Sequence, residues 1–575
     1  MKLVSQSQMR EMDRRTIEGG RPGLDLMEVA GRGICRSLLA RVFGAPVPAP
    51  ALAPGLVPAP APVPVPARGQ APGPCRSGRT SRRLDAELPV WILCGKGNNG
   101  GDGLVLARLM RERGLWPRVL LACAPEELTG DAAAQLPLAH ASGVLIERPG
   151  AREWAAFSRL GPDAVVVDAL LGTGLTGPPR GALAEWTQRI GESRARILAI
   201  DIPSGLSGDD PSVPWEVPVR ADWTVTMGLP KRSFPFSPMR ERTGPVDMVD
   251  LGFSEEVIQS VGWDAEIPEP CDLAEWLPGP GSRSHKGRWG RLVVVGGSPG
   301  LSGAPILASR AALRVGAGLV RTCLPRGLTG VFDGALLEAM SEALPEGEDG
   351  QLLARGAEDV VSRYGTWDAL VLGPGLGRYP ETERFVMKLL GSWRGPLLLD
   401  ADALFALAEW GADSWVPRAR DVRAGGEPGG LVLTPHYGEM ARLTGRPTEE
   451  WSGDPIGTAK AWAERWGVTL VLKGAPTVTA APDGRAWVNP SGHYGLGTGG
   501  SGDVLSGVIG ALLAQGMDGP RAAVLGCYLH GRAAELGSRG AKRSLLPTDV
   551  IETLPEAVAS AESAELPEGW RWRWV

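Results

Sequence analysis

The stretch PVWILCGKGNNGGDGLVLARLMRERG, residues 89–114, decides the fold class. A short apolar run ends in glycine, a polar glycine-rich turn follows, and apolar residues then recur at helical spacing. Strands of the same kind return as RVLLACA (118–124), AVVVDALLGTG (164–174) and ARILAIDIPSG (195–205). Because these strands alternate with helices, we predict a three-layer α/β domain with a parallel sheet covered by helices on both faces.

A second series of strands begins after residues 254–284, where the alternation lapses and a domain boundary is indicated. Its strands are RLVVVGGS (291–298), DALVLGPGLG (368–377), PLLLDADAL (396–404), GLVLTPH (430–436) and TLVLKGA (469–475). This series predicts a second α/β domain. The expected division is a first domain at 1–255 with a Pro/Ala-rich insertion at 45–86, a linker at 256–267, a second domain at 268–560 and a tail at 561–575.

Composition and charge exclude several classes of protein. The 575 residues include 60 basic and 65 acidic side chains, so no field favours binding to nucleic acid or to an anionic membrane. Residues 42–67 carry no charge, but their nine prolines exclude a membrane helix. The tail sequence EGWRWRWV (568–575) favours a docked terminal strand over a membrane-surface or partner contact.

Cysteine usage and the first residues point to the cytoplasm. Seven widely spread cysteines form neither a CxxC pair nor a zinc spacing with histidine, which is typical of a reduced protein. The start MKLVSQSQMREMDRR has charges where a signal peptide needs an apolar core. We therefore expect a cytoplasmic homo-oligomer whose partners are small molecules.

Three turns at strand ends of the first series carry polar side chains. The turn at 94–105 holds Asn98, Asn99, Gly100, Gly101 and Asp102, a mix that suits phosphates and ribose hydroxyls or a hard cation. In the segment 165–178, Asp168 ends the strand and precedes the glycine-rich turn. The segment 199–209 contains Asp201 and Ser204. Each turn alone is explained by helix capping. Three of them at the carboxyl edge of one sheet predict a binding site.

The strongest signal in the second series is GLGTGGSGDVLSGVIGALLAQG, residues 495–516. Gly499, Gly500, Ser501 and Gly502 lead into an apolar helix, so their backbone N–H groups predict an anion hole for a phosphoryl group. Asp503, in the first turn of that helix, is placed to take the proton of an attacking hydroxyl. The alternative is an acidic residue that merely favours a helix N-terminus.

The motifs GKGNNGGDGL, VDALLGTGLTG and DIPSGL, preceded by QMREMD, resemble the NAD(P)H-hydrate epimerase domain over roughly residues 1–253. The resemblance implies a Rossmann-like fold and a potassium ion held by Asn99, Asp168 and Ser204. It also implies that a hydrated nicotinamide nucleotide is bound by Asn98, Asn99, Gly100, Gly101, Asp102, Gly172, Thr173, Gly174, Leu175, Thr176, Gly177, Pro178 and Asp201. Val29 stands where the family usually has asparagine and cannot donate the hydrogen bonds of an amide.

The segment 284–320, followed by GPGLG (373–377), LLLDADAL (397–404), LTPHYGEM (433–440) and VLKGAPT (471–477), resembles the NAD(P)H-hydrate dehydratase domain, which is ribokinase-like. The match covers about residues 268–555. It implies that the hydrated nucleotide is contacted by Ala304, Gly375, His436 and the catalytic Asp503, and the adenosine phosphate by Lys473, Gly474, Ala475, Pro476, Thr477 and Gly502. The chain departs from the family at Phe405, Tyr437 and the pair His493–Tyr494, where asparagine, proline and Asn-Pro are usual.

Together the two resemblances imply a repair enzyme for hydrated NADH and NADPH. The first domain would interconvert the R and S hydrates with potassium, and the second would dehydrate the S hydrate with ADP and Mg²⁺, giving AMP and phosphate. Asp168 or Asp201 would stabilise the epimerisation intermediate. Asp400 and Asp402 would either position magnesium or cap a turn. The alternative is a small-molecule kinase of ribokinase-like fold joined to a non-catalytic nucleotide-binding module.

Overall fold

The computed structural model describes residues 1–44, 88–174, 177–211, 218–279, 289–421, 430–564, 566 and 570–575. The Pro/Ala-rich insertion expected at 45–86 lies outside this range, as do the expected nucleotide contacts Leu175 and Thr176.

The strands of the described residues are β1 (Lys2–Leu3), β2 (Val90–Cys94), β3 (Arg118–Leu121), β4 (Leu145–Glu147), β5 (Val165–Ala169), β6 (Arg196–Ile200), β7 (Trp223–Met227), β8 (Val246–Val249), β9 (Ala265–Glu266), β10 (Arg291–Val295), β11 (Leu319–Pro325), β12 (Met340–Leu344), β13 (Ala369–Leu372), β14 (Leu397–Leu399), β15 (Leu431–Leu433), β16 (Thr469–Leu472), β17 (Val478–Ala480), β18 (Ala486–Val488) and β19 (Trp572–Trp574).

The helices of the same residues are α1 (Gln6–Glu18), α2 (Gly23–Phe43), α3 (Asn98–Glu112), α4 (Gly130–Ala141), α5 (Ala151–Phe157), α6 (Ala182–Glu192), α7 (Met239–Thr243), α8 (Glu255–Val261), α9 (Pro270–Trp276), α10 (Gly303–Arg314), α11 (Thr329–Ala335), α12 (Gly356–Tyr364), α13 (Pro380–Ser392), α14 (Asp402–Glu409), α15 (Ala412–Asp421), α16 (Tyr437–Thr444), α17 (Thr448–Gly453), α18 (Pro455–Trp466), α19 (Ser501–Ala514), α20 (Gly519–Gly537) and α21 (Pro547–Glu562).

The first sheet has eight strands in the order β19-β8-β7-β6-β5-β2-β3-β4, and each neighbouring pair is parallel. Every residue of β2 and β5 is buried, as expected for strands covered on both faces. Ile92 packs in a core beneath α2 and α3, whereas its neighbour Trp91 packs with Phe157 and Trp186 of α5 and α6. This arrangement confirms the three-layer α/β domain.

The second sheet has eleven strands in the order β1-β9-β18-β17-β16-β15-β14-β13-β10-β11-β12. The run from β16 to β12 is parallel, and β16, β17 and β18 form an antiparallel meander. One face packs against α10, α19 and α20, and the other packs against α12 to α18. The second α/β domain predicted from the sequence is therefore present.

Each end of the chain contributes an edge strand to the sheet of the other unit. β1, at the start of the chain, pairs antiparallel with β9 and lies at the edge of the second sheet. β19, at the end, pairs parallel with β8 at the edge of the first sheet, with Trp572 opposite Val246. The docked terminal strand predicted from EGWRWRWV is thus confirmed. The segment 256–267, predicted as a linker, contributes β9 to the second sheet and most of α8.

One hydrophobic core is shared by both units. It includes Leu3, Phe234 and Met248 from the first unit together with Leu472 and Val488 of the second sheet. Because removal of these apolar side chains from water requires both units, each unit contributes to the stability of the other. None of the helices described here has the length and apolar character needed to cross a membrane.

The C-terminal strand β19 is held by Asp247, a buried carboxylate of the neighbouring strand β8. Asp247 in β8 is fully buried and accepts hydrogen bonds from Ser37 Oγ at 2.5 Å, Arg41 Nη2 at 2.6 Å and Arg573 Nη2 at 3.0 Å. Burial raises the pKa of Asp247, but the hydrogen bonds and the charge of Arg41 outweigh burial and hold that pKa below its usual value. The cluster therefore joins α2, β8 and β19.

We predict that Asp247→Ala lowers the free energy of unfolding by about 2–3 kcal/mol, because two partly exposed arginines and a buried hydroxyl lose their shared acceptor. Denaturant unfolding at pH 7 measures the change. Since the pKa of Asp247 is lowered in the folded state, the difference between wild type and variant should begin to shrink as the pH falls below about 4 and should be lost once the pH passes below the folded-state pKa. Asp483→Ala, at an exposed carboxylate paired with Arg485, is the matched control and should change stability by less than about 0.5 kcal/mol. If Asp247→Ala has the same free energy of unfolding as wild type, the conclusion that Asp247 holds α2, β8 and β19 together is wrong.

Candidate active sites

A cavity of about 740 Å³ opens at the carboxyl edge of the first sheet. It lies where β2 and β5 are neighbours and the strand order reverses, which is where open α/β sheets bind ligands. Its size suits a small-molecule ligand. The expected contacts that line it are Asn98, Asn99, Asp102, Gly172, Thr173, Gly174 and Asp201. Gly177 and Pro178 are described but do not line this cavity.

The turn after β2 is shaped by close backbone contacts. Asn98 is the first residue of α3 and Asp102 lies in its second turn, so the free N–H groups of the helix start face this edge of the sheet. A Cβ on Gly100 would lie 1.9 Å from the Gly95 carbonyl oxygen, and one on Gly101 would lie 2.7 Å from Met27 Cε. Larger residues would push the turn out of place, which explains the two glycines between the asparagines and Asp102.

The residues expected to hold potassium lie beneath the cavity. Asp168 and Ser204 are buried, and Ser204 donates its hydroxyl to Asp168 Oδ1 at 2.7 Å and its backbone N–H to Asp168 Oδ2 at 2.7 Å. Asn99 Nδ2 donates to the Leu171 carbonyl oxygen at 2.9 Å, and Leu171 N–H donates to Ser204 Oγ at 3.0 Å. Asn99 Oδ1 is buried and has no hydrogen-bond partner among the residues that the structure describes. These oxygens fit a hard cation.

Asp201 is held by a lysine that the sequence analysis did not identify. Lys231 is fully buried, and its ammonium donates to Asp201 Oδ1 at 2.7 Å and to Thr226 Oγ1 at 2.9 Å. Asp201 Oδ2 accepts from the Thr173 N–H at 3.2 Å, and the backbone of Asp201 has φ 65°. Lys231 stands thirty residues from Asp201 in a loop without a motif, so only the fold brings the pair together.

The second site is built around the start of α19. Gly500 precedes the helix with φ 95°, and Gly502 and Asp503 lie in its first turn. Lys473, at the end of β16, donates to Asp400 Oδ1 at 2.8 Å, and Ser506 of α19 donates to Asp400 Oδ2 at 2.7 Å. A Cβ on Gly502 would lie 3.6 Å from Lys473 Nζ and 3.7 Å from Asp400 Oδ2. The structure therefore brings a cation to the predicted anion hole.

Asp503 lies in a strongly perturbed environment. Burial raises the pKa of Asp503 to about 7; the Asp400 carboxylate adds to the rise and Lys473 opposes it. Burial also raises the pKa of Asp400, but the charge of Lys473 together with hydrogen bonds from Lys473, Ser506 and Thr434 outweighs burial and lowers that pKa below the usual value. A carboxyl whose pKa lies near neutrality can both accept and release a proton at physiological pH. This property suits Asp503 to general acid–base chemistry.

The expected contacts of the second site lie at the carboxyl ends of several neighbouring strands of the second sheet. A Cβ on Gly375 would lie 3.0 Å from Ala304 Cβ, so the turn after β13 meets the start of α10. His436 Nδ1 accepts from the N–H groups of Gly438 at 3.0 Å and Glu439 at 3.2 Å. His436 thus caps α16, and its exposed ring places Nε2 3.6 Å from Glu439 Oε1. The remaining expected contacts, Gly474, Ala475, Pro476 and Thr477, follow Lys473 between β16 and β17.

Two departures from the family pattern have local explanations. The Phe405 ring is contacted by the guanidinium groups of Arg378 at 4.5 Å and Arg442 at 4.9 Å, which stabilise it as cation–π contacts. A Cβ on Gly474 would lie 2.7 Å from the Tyr437 hydroxyl oxygen, so Tyr437 covers the backbone after Lys473.

Asp402 Oδ2 accepts the Gly377 N–H at 2.9 Å, which favours the turn-capping interpretation for this residue.

Within the described residues, no group of three or more histidine, cysteine, aspartate or glutamate side chains could hold a metal ion.

Two family models match the chain. One is described as NAD(P)H-hydrate dehydratase and matches residues 292–556, and the other is described as YjeF-related protein N-terminus and matches residues 23–233. Among curated proteins, the bifunctional NAD(P)H-hydrate repair enzyme of Moorella thermoacetica is 38% identical over 83% of this chain and 88% of its own. The enzyme of that name from Salinibacter ruber is 36% identical over 97% and 96%.

This chain belongs to the bifunctional NAD(P)H-hydrate repair enzyme family. The Escherichia coli member is 37% identical over 81% of this chain and 84% of its own. A solved structure of the ADP/ATP-dependent NAD(P)H-hydrate dehydratase from Bacillus subtilis, co-crystallized with ATP/Mg²⁺, is 30% identical with a TM-score of 0.43 and covers 52% of this chain and 99% of that one.

In this family member we predict that Asp400→Asn lowers the pKa of Asp503 by about one unit or more. The substitution removes the negative neighbour and frees Lys473 to stabilise the Asp503 carboxylate. Carboxyl NMR titration measures the shift, with the Asp503 signal assigned by its loss in Asp503→Asn. The exposed Asp483→Asn is the matched control. A titration of Asp503 that does not move in Asp400→Asn would show that Asp400 does not control its proton affinity.

Proposed function

We propose that the N-terminal unit, residues 1–255, interconverts the R and S hydrates of NADH and NADPH, and that the C-terminal unit, residues 268–560, dehydrates the S hydrate with ADP. The family supports both activities, and each unit has a site at the reversal of its strand order. The observation that carries the proposal is the placement of Asp503, with its pKa of about 7, beside Lys473 and the glycine-rich start of α19.

The dehydration needs a better leaving group than hydroxide. Asp503 accepts the proton of the substrate hydroxyl while the terminal phosphoryl group of ADP passes to that oxygen, which leaves AMP. The N–H groups at the start of α19 stabilise the phosphoryl oxygens, and Lys473 offsets their charge. Phosphate then departs with the electron pair of its C–O bond, a proton leaves the neighbouring carbon, and the double bond of the dihydronicotinamide is restored. Magnesium on the phosphates would lower the charge on the transferred group.

For the epimerase unit we assign potassium to Asn99, Asp168 and Ser204. The partnerless Asn99 Oδ1 and the Ser204 hydroxyl supply neutral oxygens, and Asp168 supplies the charge. Burial raises the pKa of Asp168 to about 6 against the opposing hydrogen bonds of Ser204, so a cation at this place would favour its charged form. Bound potassium would neutralise Asp168 and hold the three turns together.

The reaction is assigned to the cytoplasm. The six cysteines within the described ranges are free thiols, which agrees with a reducing compartment. The expected homo-oligomer stays a prediction.

We predict that purified protein, given an R/S mixture of hydrated NADPH with ADP and Mg²⁺, restores the full dihydronicotinamide absorbance. Asp503→Asn should lose at least about 100-fold in the rate of dehydration, because the acid–base group is removed. The R and S hydrates should still interconvert in that variant, as chromatography of the two epimers would show. Asp483→Asn is the control and should match wild type. A phosphorylated product that accumulates without absorbance recovery would support the small-molecule kinase instead.

The potassium assignment predicts that Ser204→Ala raises the potassium concentration for half-maximal epimerase rate by about tenfold or more, because one oxygen ligand and one support of Asp168 are lost. Epimer interconversion is measured in potassium titrations with choline as the balancing cation. Ser207→Ala, a neighbouring hydroxyl outside this set, is the matched control. An unchanged potassium response in Ser204→Ala would exclude this place as the ion site.

A further inference from the structure

The first helix places a carboxylate in the N-terminal cavity for which the binding motifs give no role. Met9, Arg10, Asp13 and Ile17 of α1 line that cavity. On the outer surface of the same helix, Glu11 pairs with Arg14 and Arg15 at 2.7 Å each. Asp13, in contrast, has no hydrogen-bond or ion-pair partner in the described part of the chain. A ligand in the cavity would therefore meet a carboxyl that none of the described side chains uses.

A second carboxyl of the cavity is in the same situation. Asp102 of α3 is 8% exposed, lines the cavity and has no side-chain partner among the residues that the structure describes. Asp201 differs from both, since Lys231, Thr226 and the Thr173 N–H occupy its oxygens. Of these three cavity carboxyls, Asp201 is fixed by a lysine, whereas Asp13 and Asp102 are free to exchange protons.

The charges around the two free carboxyls favour retention of a proton. Burial raises the pKa of Asp13 to about 6; Lys231 opposes this rise and Asp201 adds to it. Burial also raises the pKa of Asp102 well above its usual value, and the carboxylates of Asp201 and Asp13 add to that rise. The other charged groups that line the cavity are Arg10, Lys96, Glu127 and Asp131. Both carboxyls therefore hold a proton more tightly than a free aspartate does, and the charge of Asp13 contributes to this effect at Asp102.

We propose that Asp13 and Asp102 form the proton-exchanging pair of the epimerase cavity. The proposal rests on the function assigned above to the N-terminal unit. One carboxyl donates its proton to the hydroxyl on the hydrated carbon, the C–O bond breaks and water leaves. The lone pair of the adjacent ring nitrogen forms a C=N bond in its place. Water then adds to the opposite face, its electron pair forms the new C–O bond, the C=N pair returns to nitrogen, and the second carboxylate takes the released proton.

The proton balance of this step explains why two free carboxyls are useful. Conversion of one epimer leaves the proton on the other member of the pair, and the reverse conversion or exchange with solvent returns it. The intermediate carries a positive charge on the ring, which the fixed Asp201 carboxylate stabilises. Asp201 contributes a carboxylate whose oxygens are held in place by Lys231, Thr226 and the Thr173 N–H, while Asp13 and Asp102 supply the mobile proton.

The test is the epimer interconversion rate of Asp13→Asn and Asp102→Asn from pH 5 to pH 9. For each variant we expect kcat to fall about 100-fold or more with KM for the hydrate changed less than about threefold, because proton transfer rather than binding is removed. The dependence of the rate on pH should flatten in both variants. Asp13→Glu, which keeps a carboxyl on the helix, should recover part of the loss. Glu18→Gln, on the outer surface of α1, is the matched control.

Dehydration of pure S hydrate by the second site, measured on the same samples, reports whether each variant is folded. If wild type does not speed interconversion, the epimerase function fails. If wild type does so and Asp13→Asn keeps its kcat and its pH profile, the pair is overturned while the function stands. A rise in KM alone would make Asp13 a binding residue and would also overturn the proposal. Should Asp13→Asn lose dehydration as well, Asp13→Glu and Asp102→Asn decide the question in its place.

Discussion

A parallel sheet whose strand order reverses leaves a crevice at the reversal, because the connecting helices leave to opposite faces there. Both candidate sites depend on this constraint. In the first sheet the reversal lies between β2 and β5, and the turns after them carry Asn99 and Gly172. In the second it lies between β10 and β13, where Gly375 meets Ala304. The polar groups arrive at these edges because the strands run in the same direction, so their carboxyl ends coincide.

The exchange of terminal strands makes the two crevices parts of one molecule. β1 precedes all strands of the first sheet in the chain but pairs into the second sheet. β19 follows all strands of the second sheet but pairs into the first. The carboxylate of Asp247 and the shared core around Phe234 and Leu472 add to this connection. Burial of apolar surface common to both units is lost when either unfolds, so their stabilities are coupled. This coupling constrains the position of α1, since the helix follows β1 directly and lines the first cavity.

Sequence patterns predicted the secondary-structure elements and the turns, but not which side chains pair with one another. The α/β class, the parallel strands and the glycine-rich turn before α19 were visible because glycine spacing and apolar runs are local signals. The sequence predicted only one of the two exchanged strands. The Trp-rich tail indicated a strand, whereas β1, with two residues, is too short to show a periodic pattern. The pair Lys231–Asp201 was missed because nothing near Lys231 marks it as functional. Asp13 was read as part of a motif, and only the cavity shows what it faces.

Both sites use the same electrostatic arrangement although their folds differ. In each, a lysine fixes one carboxylate at a strand end: Lys231 holds Asp201 and Lys473 holds Asp400, both at 2.7–2.8 Å. Beside each pair stands a carboxyl without such a partner, and burial together with the fixed negative charge raises its pKa to about 6 in Asp13 and about 7 in Asp503. In the second site the pKa of Asp400 is lowered and that of Asp503 is raised, so the proton goes to Asp503 rather than to Asp400. A buried ion pair that adds little stability thereby becomes useful, because it places a proton where the chemistry needs one.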